Sequence, residues 1–185
     1  MIALRPENPL IVQSDRTLLL EVAHPAFEQV RDELIRFAEL VKSPEHIHTY
    51  RVTPLSLWNA SASGVSCEEI LETLEHWSRY PVPQNLIQEI RDHGTRYGKL
   101  RLVRKGERLA LETSDRGLFW ELENQKGLQD LLAEPYPDQT GIFLREGMRG
   151  EAKLQLVRMG HPVQDMAGYK DGDPLPLELR ETLLG

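Results

Sequence analysis

TPLSLWNASASGVSCEEILETLEHWSRYPVPQNLIQEIRDHGTRYGKLRLVRKGERLALET, residues 53–113, is the stretch whose reading decides the fold. Thr53-Pro54 joins a helix cap to a first-turn proline, and Gly64 closes the short helix that follows. Ser66-Cys67-Glu68-Glu69 fits a capping box and predicts a second helix to about Arg79, with Ile70, Leu71, Leu74 and Trp77 facing inward. Pro83 opens a third helix, whose inner face is Leu86, Ile87, Ile90 and Tyr97. Residues 100–104 and 109–113 alternate apolar and polar side chains around Lys105-Gly106-Glu107, a hairpin signature. Three helices and a two-stranded wing follow the order of a winged helix, a plan that other small α+β modules share. Leu74, Trp77, Leu86, Ile87, Ile90 and Leu102 are expected to be buried together.

Upstream, residues 10–12 and 17–21 read as short strands around the polar gap Gln13-Ser14-Asp15-Arg16. A helix follows with Pro25 at its first position, and Phe27, Val30, Leu34, Phe37 and Val41 form its apolar stripe. Downstream the character changes: residues 115–138 hold six acidic and two basic side chains, and Pro135-Tyr136-Pro137 breaks any helix there. Residues 146–159 read as an amphipathic helix stopped by Gly160, and the Pro-, Gly- and Asp-rich tail from His161 reads as extended. The expected fold class is α+β: a helix-rich, winged-helix-like domain with small β-hairpins, then a smaller α/β or extended segment. Its divisions are residues 1–115, with the winged-helix-like part at 54–113, an acidic helix and linker at 116–147, and a last segment at 148–185.

A chain of 185 residues holds one large domain, or one domain and a smaller one. The charge and proline in MIALRPENP argue against a signal peptide, and no apolar run approaches the roughly 18 residues of a membrane span. A single cysteine, Cys67, excludes an internal disulfide and fits a reducing cytoplasm, with nucleoid association if the source is prokaryotic. The formal charge of −7 argues against nucleic-acid binding over the whole surface, so any such contact needs a local excess of cations.

That excess exists. Arg91, Arg96, Lys99, Arg101, Arg104, Lys105 and Arg108 place seven cations in eighteen residues, against Asp92 and Glu107. A winged helix lays its third helix in the major groove while its wing meets phosphates or the minor groove. Gln84, Asn85, Gln88 and Arg91 lie off the apolar face of that helix. The expected DNA-contacting set is Gln84, Gln88, Arg91, Arg96, Lys99, Arg101, Arg104, Lys105 and Arg108, binding weakly and with strong salt dependence. The competing account is a solvated outer surface, its field weakened by Glu68, Glu69, Glu72 and Glu75 on the preceding helix. Phe119 and Trp120, in acidic surroundings, suit docking of a partner better than DNA.

Other candidates have plainer explanations. His46 and His48 alternate as a strand pair would, but zinc needs two further ligands, and Cys67, His76 and His93 have no motif spacing. No metal site is expected. Cys67 at a helix N-terminus should have a lowered pKa, without a histidine constellation to use it. Trp58, Trp77, Tyr80 and Tyr97 could stack single-stranded bases, but their helical spacing suits core packing better. Carboxylate pairs such as Glu68/Glu69 and Glu121/Glu123 lack any flanking His, Ser or glycine turn, so no hydrolase site is indicated. No G-x-x-x-x-G-K-[S/T] phosphate loop occurs, and Gly98-Lys99 runs into Leu100 at the start of a strand. The sequence therefore predicts no ATP hydrolysis by that machinery, and no cofactor in this chain.

Three phrases in fixed order carry a resemblance: SPEHIHTYRVTPLSLWNA from Ser43, YPVPQN from Tyr80 and RYGKLRLV from Arg96. Together they resemble the N-terminal region of the XPB family of DNA repair helicases. The resemblance spans residues 9 to about 113 and returns more weakly in RGEAKLQLVRMGHPVQDMAGYKDG from Arg149. Residues 116–147 have no clear counterpart. XPB-like proteins are ATP-dependent 3′→5′ motors of nucleotide excision repair and, in eukaryotes, promoter opening. The resemblance implies that residues 9–113 are a docking domain for a regulatory partner of similar fold. It implies that residues 149–179 belong to, or lead into, a damage-recognition segment. The helicase motor, with its ATP and Mg²⁺, would lie elsewhere in the parent protein, so the expected function is a non-catalytic accessory domain. Its expected partners are DNA, the motor domains of the parent and a regulatory protein, with no membrane. A protein-docking or self-association domain without direct DNA contact is the alternative.

Overall fold

Alternation at Leu10, Val12, Leu18 and Leu20 builds the first of two sheets, and every one of these side chains is buried. The computed structural model describes residues 4–168. Strands β1 (Leu10–Val12), β2 (Thr17–Glu21), β3 (Glu39–Lys42) and β4 (Ile47–Arg51) form a four-stranded sheet in the order β1-β2-β4-β3. All its pairings are antiparallel, with Leu10 opposite Leu20 and Leu18 opposite Tyr50. Helices α1 (Phe27–Leu34), α2 (Pro54–Ala62), α3 (Cys67–Trp77) and α4 (Gln84–Gly94) bury their apolar faces with it. Val30, Leu34, Tyr50, Leu57, Ile70, Leu74, Leu86 and Ile90 make this first core. Each fully buried leucine contributes about 2 kcal/mol of apolar transfer.

The caps act as expected. Thr53 Oγ1 accepts the Ser56 N–H and Ser66 Oγ the Glu69 N–H, and each third residue returns a bond to its cap backbone. A cap of this kind is worth about 1 kcal/mol. The helices α3 and α4 come close enough that a Cβ on Gly94 would sit 2.2 Å from Cys67 Sγ. Gly94 is therefore required by packing, and Gly94→Ala would force the pair apart.

The second sheet runs β7-β8-β6-β5-β9, from β5 (Leu100–Lys105), β6 (Arg108–Glu112), β7 (Leu132–Pro135), β8 (Gly141–Leu144) and β9 (Val163–Asp165). Gly106, at φ +62°, supplies the left-handed residue that the tight β5–β6 turn needs. Helices α5 (Arg116–Asn124) and α6 (Arg149–Arg158) share its core through Leu118, Phe119, Leu122, Ala152 and Leu156, against Leu100, Leu102, Leu111, Ile142 and Leu144. The edge strand β9 runs parallel to β5 and is clamped by Asp165. That carboxylate accepts bonds of 2.8 Å from Arg149 Nη2 and 2.9 Å from Lys153 Nζ on α6.

Three expectations are corrected here. The helices and the hairpin follow the winged-helix order but do not share a core: Leu102 packs with Leu111, Phe119 and Ile142, while Leu74, Leu86 and Ile90 belong to the first core. The fold is thus α+β with two sheets and six helices among the described residues, and a winged helix is not formed as one unit. The stripe through Phe37 to Val41 is not one helix, because α1 ends at Leu34 and Val41 is exposed on β3. The stretch expected as a linker contains β7 and β8, with Pro135 at the end of an edge strand where a missing N–H is tolerated. The tail is extended where β9 lies, and the rest of it, residues 169–185, falls outside the described residues. No helix among the described residues is long and apolar enough to cross a membrane.

Candidate nucleic-acid interface

The expected contact residues divide between the outer face of α4 and the β5–β6 hairpin, and most are already engaged. On α4, Gln84 is exposed, Gln88 donates to Asp92 at 2.8 Å, and Arg91 lies 3.5 Å from Glu68 of α3. Asn85 is turned away and donates to the Ser14 carbonyl at 2.8 Å in the β1–β2 turn. Beyond α4, Arg96 Nη1 donates to the Gly160 carbonyl at 3.3 Å. On the hairpin, Arg104 Nε reaches the Ala167 carbonyl at 3.3 Å, and Lys105 pairs with Glu112 at 3.0 Å. Arg108 makes a two-pronged ion pair with Glu134 and lies 4.1 Å over the Phe143 ring. That guanidinium holds the Glu134 carboxyl at a pKa of about 2, its own backbone N–H assisting.

Seven cations in sequence are therefore not seven free charges. Arg91, Lys105 and Arg108 each face a carboxylate. Arg96 and Arg104 bond carbonyl oxygens, which orient a guanidinium without cancelling its charge. Lys99 and Arg101 are exposed and make no ion pair or side-chain hydrogen bond among the described residues. Alternation along β5 explains the split: Leu100 and Leu102 point into the second core, and Arg101 points out. The remaining positive field is concentrated at Arg96, Lys99, Arg101 and Arg104.

Sequence reasoning missed Arg145. Antiparallel pairing of β6 with β8 sets Ala110 opposite Phe143, which brings Arg145 to the same end of the sheet as Arg108. Its signal was the four-residue apolar run Gly141–Leu144, a buried strand that ends one residue before it.

The other candidates resolve into structure. His46 precedes β4, and His48 stacks edge-on against Phe27 at 5.1 Å. Among the described residues no group of three or more His, Cys, Asp or Glu is placed to hold a metal ion. The Cys67 thiol is pushed up rather than down, first by burial and then by the Glu68 carboxylate, which corrects the lowered value expected from its helix end. Trp58 Nε1 donates to the His93 carbonyl at 3.1 Å and Trp77 Nε1 to Glu33 at 2.9 Å, as core tryptophans do. Phe119 is buried in the second core, whereas Trp120 beside it is 67% exposed.

Residues 10–136 match the family described as helicase conserved C-terminal domain. The chain is also 42% identical over 176 residues to the "DNA 3'-5' helicase XPB" of Mycobacterium tuberculosis, covering 95% of this chain and 32% of that protein. Its likeness to the protein of the same name in Kineococcus radiotolerans is 42% over 177 residues, or 95% and 31%. The Saccharomyces cerevisiae "General transcription and DNA repair factor IIH helicase/translocase subunit XPB/SSL2" is 36% identical over 125 residues, covering 65% of this chain and 15% of that protein. The chain thus spans about a third of the length of the bacterial relatives it matches. Two expectations change. The matched family is described as a C-terminal helicase domain, so placement in an N-terminal region finds no support in it. The expectation of a chain that is no enzyme is overturned by the same match, which points to a helicase-type enzymatic region.

Proposed function

We propose, from the premise that the chain belongs to the helicase conserved C-terminal domain family, that it is the DNA-contacting region of an XPB-like DNA helicase acting in repair. The likeness to XPB helicases along 95% of the chain carries this reading. The residues that suit DNA are those that form no ion pair among the described residues, Arg96, Lys99, Arg101 and Arg104, while exposed Gln84 lies at the other end of α4 from Arg96. Arg91, Lys105, Arg108 and Gln88 belong to the rim of this surface and must exchange Glu68, Glu112, Glu134 or Asp92 for a phosphate before contributing. Contact of this kind positions DNA without reading its sequence, so binding should be tolerant of sequence and sensitive to salt. ATP and Mg²⁺ would be handled by the parent helicase as a whole, and cytoplasmic location is supported by the bacterial relatives.

Changing Lys99 and Arg101 together to Ala tests the reading, because neither side chain holds the fold. DNA affinity should fall and the slope of log K against log salt should lose about two units. An unchanged slope would remove this surface from DNA contact. A second reading, docking of a regulatory protein or a second copy, is favoured by Trp120, whose indole is 67% exposed on α5. Trp120→Ala should then abolish association seen by sedimentation while leaving DNA affinity intact.

A further inference from the structure

Three arginines, two from the β5–β6 hairpin and one from beyond β8, meet at one end of the second sheet. Arg104 lies near the end of β5, Arg108 opens β6 and Arg145 follows β8. They line one cleft of about 540 Å³, with Leu109 and Leu144 as its apolar part. The hydrogen bonds of two of them set them for an anion. Arg104 donates Nε to the Ala167 carbonyl at 3.3 Å, and Arg145 donates Nε to the Leu132 carbonyl at 2.9 Å. These bonds fix each guanidinium from behind, and neither residue forms an ion pair among the described residues. Their Nη groups remain for a ligand. Arg108 plays a different part: Glu134 takes both its Nη atoms, and its plane lies against Phe143, so it forms a wall.

We propose that this cleft seats a phosphodiester group of a nucleic-acid backbone between Arg104 and Arg145. The inference deepens, and rests on, the DNA-contact reading above. A guanidinium presents parallel N–H donors that match two oxygens of one phosphate, which a point charge such as ammonium does not. Glu107 and Glu146 also line the cleft. Their charge disfavours a terminal, doubly charged phosphate and suits the singly charged diester. Leu109 and Leu144 offer the adjoining sugar an apolar surface.

The test uses the full chain, a short labelled DNA and inorganic phosphate as separate probes. Arg145→Ala should weaken DNA binding roughly tenfold and lower the salt slope by about one unit, and adding Arg104→Ala should remove about one more. Arg145→Lys, which keeps the charge, should retain most of the slope while losing part of the affinity, which separates a contact from a loss of folding. Melting temperatures measured alongside identify any variant that has unfolded. If the wild type binds DNA with salt dependence and the double variant matches it, the cleft is refuted together with Arg104 as a contact, and the broader reading stands on Arg96, Lys99 and Arg101. If the wild type shows no salt-dependent DNA binding, both fall. If only inorganic phosphate binding depends on Arg145, the cleft holds a free anion and the diester assignment is overturned.

Discussion

Leu102→Ala separates one core from two. Leu102 is fully buried, faces Leu111 across β5–β6 and packs in the second core. Truncating a leucine so enclosed costs about 3 kcal/mol, the lost transfer energy plus the cavity left behind. At about 1.4 kcal/mol per factor of ten, amide protection in β5, β6 and β8 should drop about a hundredfold. Native-state hydrogen exchange reads this strand by strand. Amides of α3 and α4 should keep their protection, because Leu74, Leu86 and Ile90 lie in the other core. Leu86→Ala is the mirror experiment and should loosen α3 and α4 first. Equal loss of protection in α3, α4 and the hairpin from Leu102→Ala would refute the division and restore a single winged-helix core.

Asp165→Ala should release β9 and destabilise the second sheet by about 2–3 kcal/mol, since Arg149 and Lys153 lose their carboxylate at a site largely shielded from water; chemical denaturation measures this. Burial alone would raise the Asp165 carboxyl, but the Lys153 and Arg149 bonds and the Ala167 N–H outweigh it, and its pKa is lowered. The clamp is therefore fully effective above the unfolded carboxyl value of about 4 and is lost as pH falls through the lower folded value. His93 is shifted down by burial and then by Arg96, so the unfolded chain takes up its proton first as pH drops below about 6.5. Stability should decline from pH 7 towards 5 and the decline should shrink in His93→Gln; an unchanged profile would show that His93 carries none of it. The Glu134 carboxyl should titrate at about 2 by NMR and move up towards the ordinary carboxylate range in Arg108→Ala.

Much of the first core was legible because its signals are local. Thr53-Pro54, Ser66 with Glu69, and Gly64 state where helices start and stop, and Gly106 states the hairpin turn. What escaped depends on partners far along the chain. Leu40 and Val41 continue the helical spacing from Phe37, yet they sit exposed on edge strand β3, and only pairing with β4 makes that stretch a strand. Three residues of β9 carry no pattern of their own and become a strand through parallel pairing with β5, more than sixty residues earlier. At the candidate site the cations were countable, but their partners were not: Glu134 of Arg108 comes from β7, a strand that the sequence does not announce, and Glu112 meets Lys105 within the hairpin although its register partner is Arg101. Changing Arg101, Arg104, Lys105 and Arg108 together is therefore not neutral for the fold, since two of the four hold ion pairs and a third holds the chain after β9.

The most direct test of the DNA-contacting surface is the salt dependence of DNA binding by the unmodified chain. Contact through Arg96, Lys99, Arg101 and Arg104 predicts a slope of log K against log salt of about −3.6 on duplex, and about −4.5 with a phosphate also seated at Arg145, alike for unrelated sequences. A flat dependence, or no binding at low salt, would contradict it and leave Trp120 as the surface to pursue.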